Sequence, residues 1–157
     1  MKRWGLFIGL LFMLAGQAWA HEMRPGYLEI KEITQASYSV LWKVPMRGDM
    51  RLSLDPHFPD MCSDMIPPSS HSSGGALITR WTIRCDASLA DQQIIIKGLE
   101  NTLTDVLARV QHLDGAVQTT RIKPDQASFK ITESPGKQEL TGTYLWLGVD
   151  HIQLVVE

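Results

Sequence analysis

The chain has 157 residues, 44% of them hydrophobic and 20% charged, with a formal net charge of −2. That length suits one domain with a sizeable core plus extensions. Acidic residues are dispersed and no basic cluster exceeds two residues, which argues against a nucleic-acid partner on electrostatic grounds.

Residues 1–20 read as a signal peptide. Lys2 and Arg3 form a positive start, Trp4 to Gly16 an uncharged and largely apolar core, and Ala18-Trp19-Ala20 the small-x-small pattern of a cleavage site. An uncleaved anchor is the alternative, but the apolar run falls short of the ~20 residues that a bilayer-spanning helix needs. Cleavage after Ala20 makes His21 the mature N-terminus and places the remainder in an oxidising, periplasmic compartment. There Cys62 and Cys85 are expected to form one disulfide. A metal site is the sharper alternative for the pair, yet the chain has no CxxC and no histidine within a few residues of Cys85.

The mature domain is expected over residues 21–133. Tyr27 to Ile33 alternates as a strand. Ser37 to Val44 follows, with Tyr38, Val40 and Trp42 on one face, Pro45 as its end and Arg47-Gly48-Asp49 as a turn. Met50 to Leu54 alternates again and stops at Pro56. From Pro56 to Gly75 the composition predicts a long surface loop pinned by Cys62. Ala76 to Cys85 is a strand with its Trp81 face inward and its Arg80 and Arg84 face outward. Ile94 to Ile96 is a short, central strand. Gly98 to Thr104 fits a turn or one helical turn, and Ser128 to Thr132 a last strand.

Between these lies a β-hairpin whose tight turn is Asp114-Gly115. With those two as the central residues, Val110 faces Thr119, Ala108 faces Arg121 and Leu107 faces Ile122. Val106, Ala108, Val110 and Val117 then share one face, with Leu107 and Ile122 on the other. Seven or eight short strands predict an all-β fold, an antiparallel β-sandwich of immunoglobulin-like type. Residues 134–157 are expected to be a linker and an apolar, helical C-terminal tail. Helical spacing puts Leu147, Asp150, His151 and Leu154 on one side, and Tyr144 and Trp146 suit a membrane surface or packing on the sandwich.

Metal chemistry centres on His21. A mature N-terminal histidine offers an α-amine and an imidazole nitrogen together, a chelate suited to Cu(II) or Ni(II). His57, His71 or His112 would supply a third nitrogen. Position three of the mature chain is Met23, not the histidine of the amino-terminal copper/nickel motif, and an exposed residue beside a cleavage site is the plainer reading. His57 and His71 flank the Cys62 loop with Asp55, Asp60 and Asp64, in no recognised ligand spacing. His112 reads as a turn histidine. No nucleophile context such as Gly-x-Ser-x-Gly is present, so no catalytic residues are assigned and no enzymatic activity is expected.

Four blocks carry a family resemblance: HEMRPGYLEIKE after the signal, VLWKVP, TLTDVLARVQHLDG followed by VQTTRIKP, and TYLWLGVDHI. Together they resemble the exported N-terminal domain of HupE/UreJ-type proteins, over essentially all of the mature chain. The resemblance implies a domain preceding a multi-helix membrane region, with hydrogenase and urease accessory roles and nickel transport. His151, beside Asp150, matches the first histidine of the family's first membrane helix, while the later histidine-bearing motif is absent. The expectation is therefore a stand-alone or truncated exported domain without the transport pathway. It would serve as a non-catalytic accessory module for an inner-membrane metal transport or accessory protein, touching the membrane surface through residues 144–157. The alternative is a soluble periplasmic Cu- or Ni-binding protein that uses His21.

Overall fold

The computed structural model describes residues 24–134, which form ten β-strands and one short 3-10 turn. Cleavage at Ala20, the metal candidates His21, Asp150 and His151, and the helical tail lie outside the described residues.

Strands β1 (Gly26–Thr34) and β2 (Ser37–Arg47) pair as an antiparallel hairpin. Their alternation buries Leu28 and Ile30 from β1, and Tyr38, Val40, Trp42 and Val44 from β2. Pro45 does not end β2, contrary to the sequence expectation; it pairs with Ala76. The Met46 N–H points to Gly75 O (2.8 Å), so the Pro45 nitrogen faces the other way, toward β1. There the β1 pairing has already stopped at Tyr27–Lys43, and the missing donor costs nothing. The turn at Gly48 (φ +61°) leads into the two-residue strand β3, Met50–Arg51.

Two further strands occupy the stretch expected to be a loop. β4 (Asp55–His57) runs through Pro56, and β5 (Cys62–Ser73) is one of the longest strands of the fold. Both lie at sheet edges, where proline is tolerated and a strand exposed on both faces needs no apolar alternation. β5 turns through Gly74 and Gly75, both at positive φ, into β6 (Ala76–Cys85). Such a pair of left-handed residues matches the twist of a two-residue hairpin. β7 (Gln93–Lys97) follows, then the 3-10 turn Leu99–Asn101. Gly98 between them sits at φ +84°, and a Cβ there would meet Ser53 O at 2.2 Å, so no other residue fits.

β8 (Val106–Gln111) and β9 (Val117–Ile122) form the expected hairpin with a register one residue away from the expected one. Val110 pairs with Gln118, Ala108 with Thr120, Leu107 with Arg121 and Val106 with Ile122. The loop has three residues, Leu113-Asp114-Gly115, with Gly115 at φ +91° and the His112 N–H donating to Ala116 O (2.9 Å). The odd loop length moves Ile122 onto the inner face with Val106, Ala108 and Val110, where it is buried, and turns Val117 outward.

β10 (Ser128–Lys130) completes the set. The larger sheet has the order β5-β6-β2-β1-β8-β9, with β3 on β2; the smaller is β10-β7-β4. The expectation of a wholly antiparallel fold is corrected at one place, because β1 and β8 pair in parallel from Gly26–Val106 to Lys31–Gln111. One apolar core joins both sheets, with Leu28, Ile30, Val40 and Val110 from the larger packed with Ile94, Ile96, Phe129 and Ile131 from the smaller side. Trp42 Nε1–H donates to Leu54 O (3.1 Å), just ahead of β4, and ties the two sheets together at depth.

Candidate functional site

Two clefts flank Pro25, at the end of the large sheet where β1 begins. One, of about 460 Å³, is lined by Pro25, Leu103, Thr104, Asp105, Leu107 and Arg121. The other, of about 440 Å³, is bordered by Arg24, Tyr27, Lys43, Pro45 and Gly75. The backbone here is fastened from both sides. Gly26 N–H donates to Asp105 O (2.9 Å), and the Thr104 hydroxyl donates to Arg24 O (3.3 Å). Arg24 Nη1 reaches across β2 to Gly74 O at 3.2 Å. Arg121 Nε donates to Asp105 Oδ2 at 2.6 Å. Three cationic side chains thus meet one carboxylate that is already paired, so this end favours anionic or carbonyl-bearing groups over a metal cation.

A polar row crosses the outer face beside these clefts. The Tyr27 hydroxyl donates to Glu29 Oε2 (2.9 Å), and Arg109 Nη1 donates both to Glu29 Oε2 and to Gln111 Oε1 (3.4 Å each). Burial pushes the Tyr27 phenol above its ordinary value, the hydrogen bond to Glu29 and that residue's charge push it further, and Arg109 opposes them. Sequence reasoning missed this row. The period-2 spacing of Tyr27 and Glu29 was visible, but their partner Arg109 is brought in by the parallel pairing of β1 with β8.

The opposite edge of the large sheet is β5. Cys62 and Cys85 are directly paired residues of β5 and β6 and form a disulfide with S–S 2.05 Å. Every β5 residue after Cys62 is exposed, and the pairing with β6 is interrupted between Asp64 and Ile66 and between Ile66 and Ser69. Pro67 and Pro68 lie within the second interruption. Beyond them Ser69 to Ser73 pairs regularly with β6, and among the described residues no strand neighbours its outer side.

The described histidines weighed as ligands belong to different elements. His57 is exposed on β4 of the small sheet, and His71 is exposed on β5, three residues before Gly74. His112 is half-buried and closes the β8–β9 loop with its backbone, the position of a turn histidine. It sits at the far end of β8 from the Pro25 clefts, about 17 Å of strand away. Among the described residues no three His, Cys, Asp or Glu side chains gather as a metal-holding group. No α-helix occurs among them either, and so none long and apolar enough to cross a membrane.

The fold and these surfaces define an all-β domain with a cross-strand disulfide, an open sheet edge and a cationic end. No protein-family model matches the chain, and no curated protein matches it.

Proposed function

We propose that this protein is an exported, non-catalytic accessory module of HupE/UreJ type, an immunoglobulin-like sandwich that makes contacts at the periplasmic face of the inner membrane. Its partner is a membrane protein of metal, in particular nickel, transport or maturation. The observation that carries the reading is the β5–β6 ribbon, whose long edge strand is exposed on both faces and stapled by Cys62–Cys85. A disulfide of this kind is expected of a domain that folds outside the cytoplasm. An unpaired strand edge is a ready site for adding a strand from a partner.

The test is fractionation of cells expressing the full chain, with thiol alkylation before reduction. The expected result is a periplasmic product shortened to His21 with both cysteines protected from alkylation. A full-length cytosolic product with two reactive thiols would sink the reading.

A second reading, a soluble Cu(II)- or Ni(II)-binding protein, rests on His21, whose nitrogens would have to hold the metal against the cationic character of the Pro25 end. His21 stands three residues before Arg24, so it lies within ~11 Å of chain from the Pro25 clefts. His71, near Gly74, is the described histidine best located to join it. Titration of the mature chain with each metal separates the readings. Tight one-to-one binding abolished by His21→Ala and weakened by His71→Ala supports the second, and absence of tight binding removes it.

A further inference from the structure

The pairing register of the larger sheet gathers charge that the sequence disperses. Directly paired residues lie on one face of a sheet with their Cβ atoms about 5 Å apart, and so do alternate residues along a strand. Arg80 pairs with Leu41, Leu41 with Glu29, and Glu29 with Arg109. In the adjacent row Lys43 pairs with Tyr27, Tyr27 with Leu107, and Leu107 with Arg121. Lys31 shares the face two residues beyond Glu29. Where β6, β2, β1, β8 and β9 lie side by side, the outer face thus holds Lys31, Lys43, Arg80, Arg109 and Arg121 against Glu29 alone, and Arg84 extends it along β6. Glu29 meets Arg109, and Asp105, just ahead of β8, meets Arg121. Lys31, Lys43, Arg80 and Arg84 are exposed and have no carboxylate partner among the described residues. A chain of net charge −2 has therefore built one cationic face.

We propose that this face docks on an anionic phospholipid bilayer. Its cations are spread over five strands, about 19 Å from β6 to β9. An acidic peptide would need them in one line, whereas a bilayer presents negative charge across its whole surface. Each added Lys or Arg near such a surface strengthens the attraction. Leu41, Tyr27 and Leu107 lie between the cations, so the long charged side chains can rest their stems on apolar surface and carry their heads to the phosphates. Tyrosine suits the same headgroup layer. The inference rests on the exported, membrane-surface reading only for which bilayer is met.

Flotation with vesicles tests it on the purified chain, from whichever compartment that is recovered. Phosphatidylglycerol–phosphatidylcholine vesicles are expected to carry the protein at low salt and release it as salt screens the charges, and phosphatidylcholine alone should not carry it. Lys43→Gln with Arg80→Gln should weaken binding on the order of tenfold or more. Lys43→Arg with Arg80→Lys should bind as the parent does, and so should Lys97→Gln with Lys130→Gln on the smaller sheet. Absence of vesicle binding would overturn the proposal, as would binding that survives the Lys43 and Arg80 glutamine pair. Equal, salt-insensitive binding to both vesicle types would point instead to apolar insertion elsewhere in the chain. Tighter capture by poly-glutamate or duplex DNA at the same salt would reassign the face to an acidic protein or a nucleic acid. An exported, disulfide-linked chain that ignores anionic vesicles sinks this inference and leaves the export reading standing.

Discussion

Tyr38 and Tyr27 use their hydroxyls in opposite surroundings. Tyr38 is buried, and its oxygen accepts the Leu89 N–H at 3.0 Å, fastening β2 to the connection that follows β6. Removing that acceptor leaves a buried amide without a partner, so Tyr38→Phe should cost about 1–2 kcal/mol in urea denaturation. A Phe variant as stable as the parent would mean that the amide finds water instead. Tyr27 lies on the outer face with its phenol held above 10.0 by burial first and Glu29 second. The folded state keeps that proton more tightly than the unfolded chain does. Its contribution is fully present below pH 10.0 and is lost as pH rises through the higher folded value. Phenolate absorbance, taken as the difference from Tyr27→Phe, should titrate above the ordinary midpoint. Glu29→Gln should bring it back part of the way, because burial remains. The acid–phenol pair was in plain view in the sequence, two residues apart on one strand, but nothing local announced Arg109 as the third member.

At the scale of elements, the strands with alternating apolar residues were legible and those without were not. β2 shows Tyr38, Val40 and Trp42 at period 2 because one of its faces is buried from Tyr38 to Val44. β5 shows Ser, Pro and His because neither of its faces is buried, so its strand character resides in backbone pairing with β6 that side-chain pattern cannot report. The Gly74-Gly75 pair was the one local sign of a hairpin there. The β8–β9 hairpin was legible as an element but not in register: Asp-Gly suits both a two-residue and a three-residue loop, and the choice inverts the facing of Ile122 and Val117. β5 depends on its staple for the same reason that it was hard to see. Beyond pairing with β6, Cys62–Cys85 is its covalent hold, closing a separation of 23 residues. Replacing both cysteines by alanine should cost about 3 kcal/mol of global stability. Amide exchange should rise first across Ser63 to Ser73, with β1 and β8 protected. Uniform acceleration through both sheets would show instead that β5 unfolds only with the whole.

The whole molecule rests on pairings between distant parts of the chain, which is where sequence pattern is silent. The parallel pairing of β1 with β8 joins residues some eighty positions apart, and both the Pro25 clefts and the Tyr27 row exist because of it. The smaller sheet is similar. Ile94-Ile95-Ile96 was legible as a central strand, and β7 does lie between β10 and β4. An unbroken apolar run suggests burial on both faces, yet Ile94 and Ile96 are fully buried while Ile95 is 41% exposed. The small sheet therefore covers the larger one with a single face, and its outer face meets solvent. Paired truncations test this arrangement. Ile96→Ala removes buried methyls between the sheets and should cost about 2–5 kcal/mol, depending on how far the core relaxes. Ile95→Ala loses mainly strand propensity on an open face and should cost no more than about 1 kcal/mol. Urea denaturation with unchanged slopes would measure both. Equal losses at the two positions would mean that a further layer covers Ile95, and the smaller sheet would then be an inner layer of the molecule and not its outer wall.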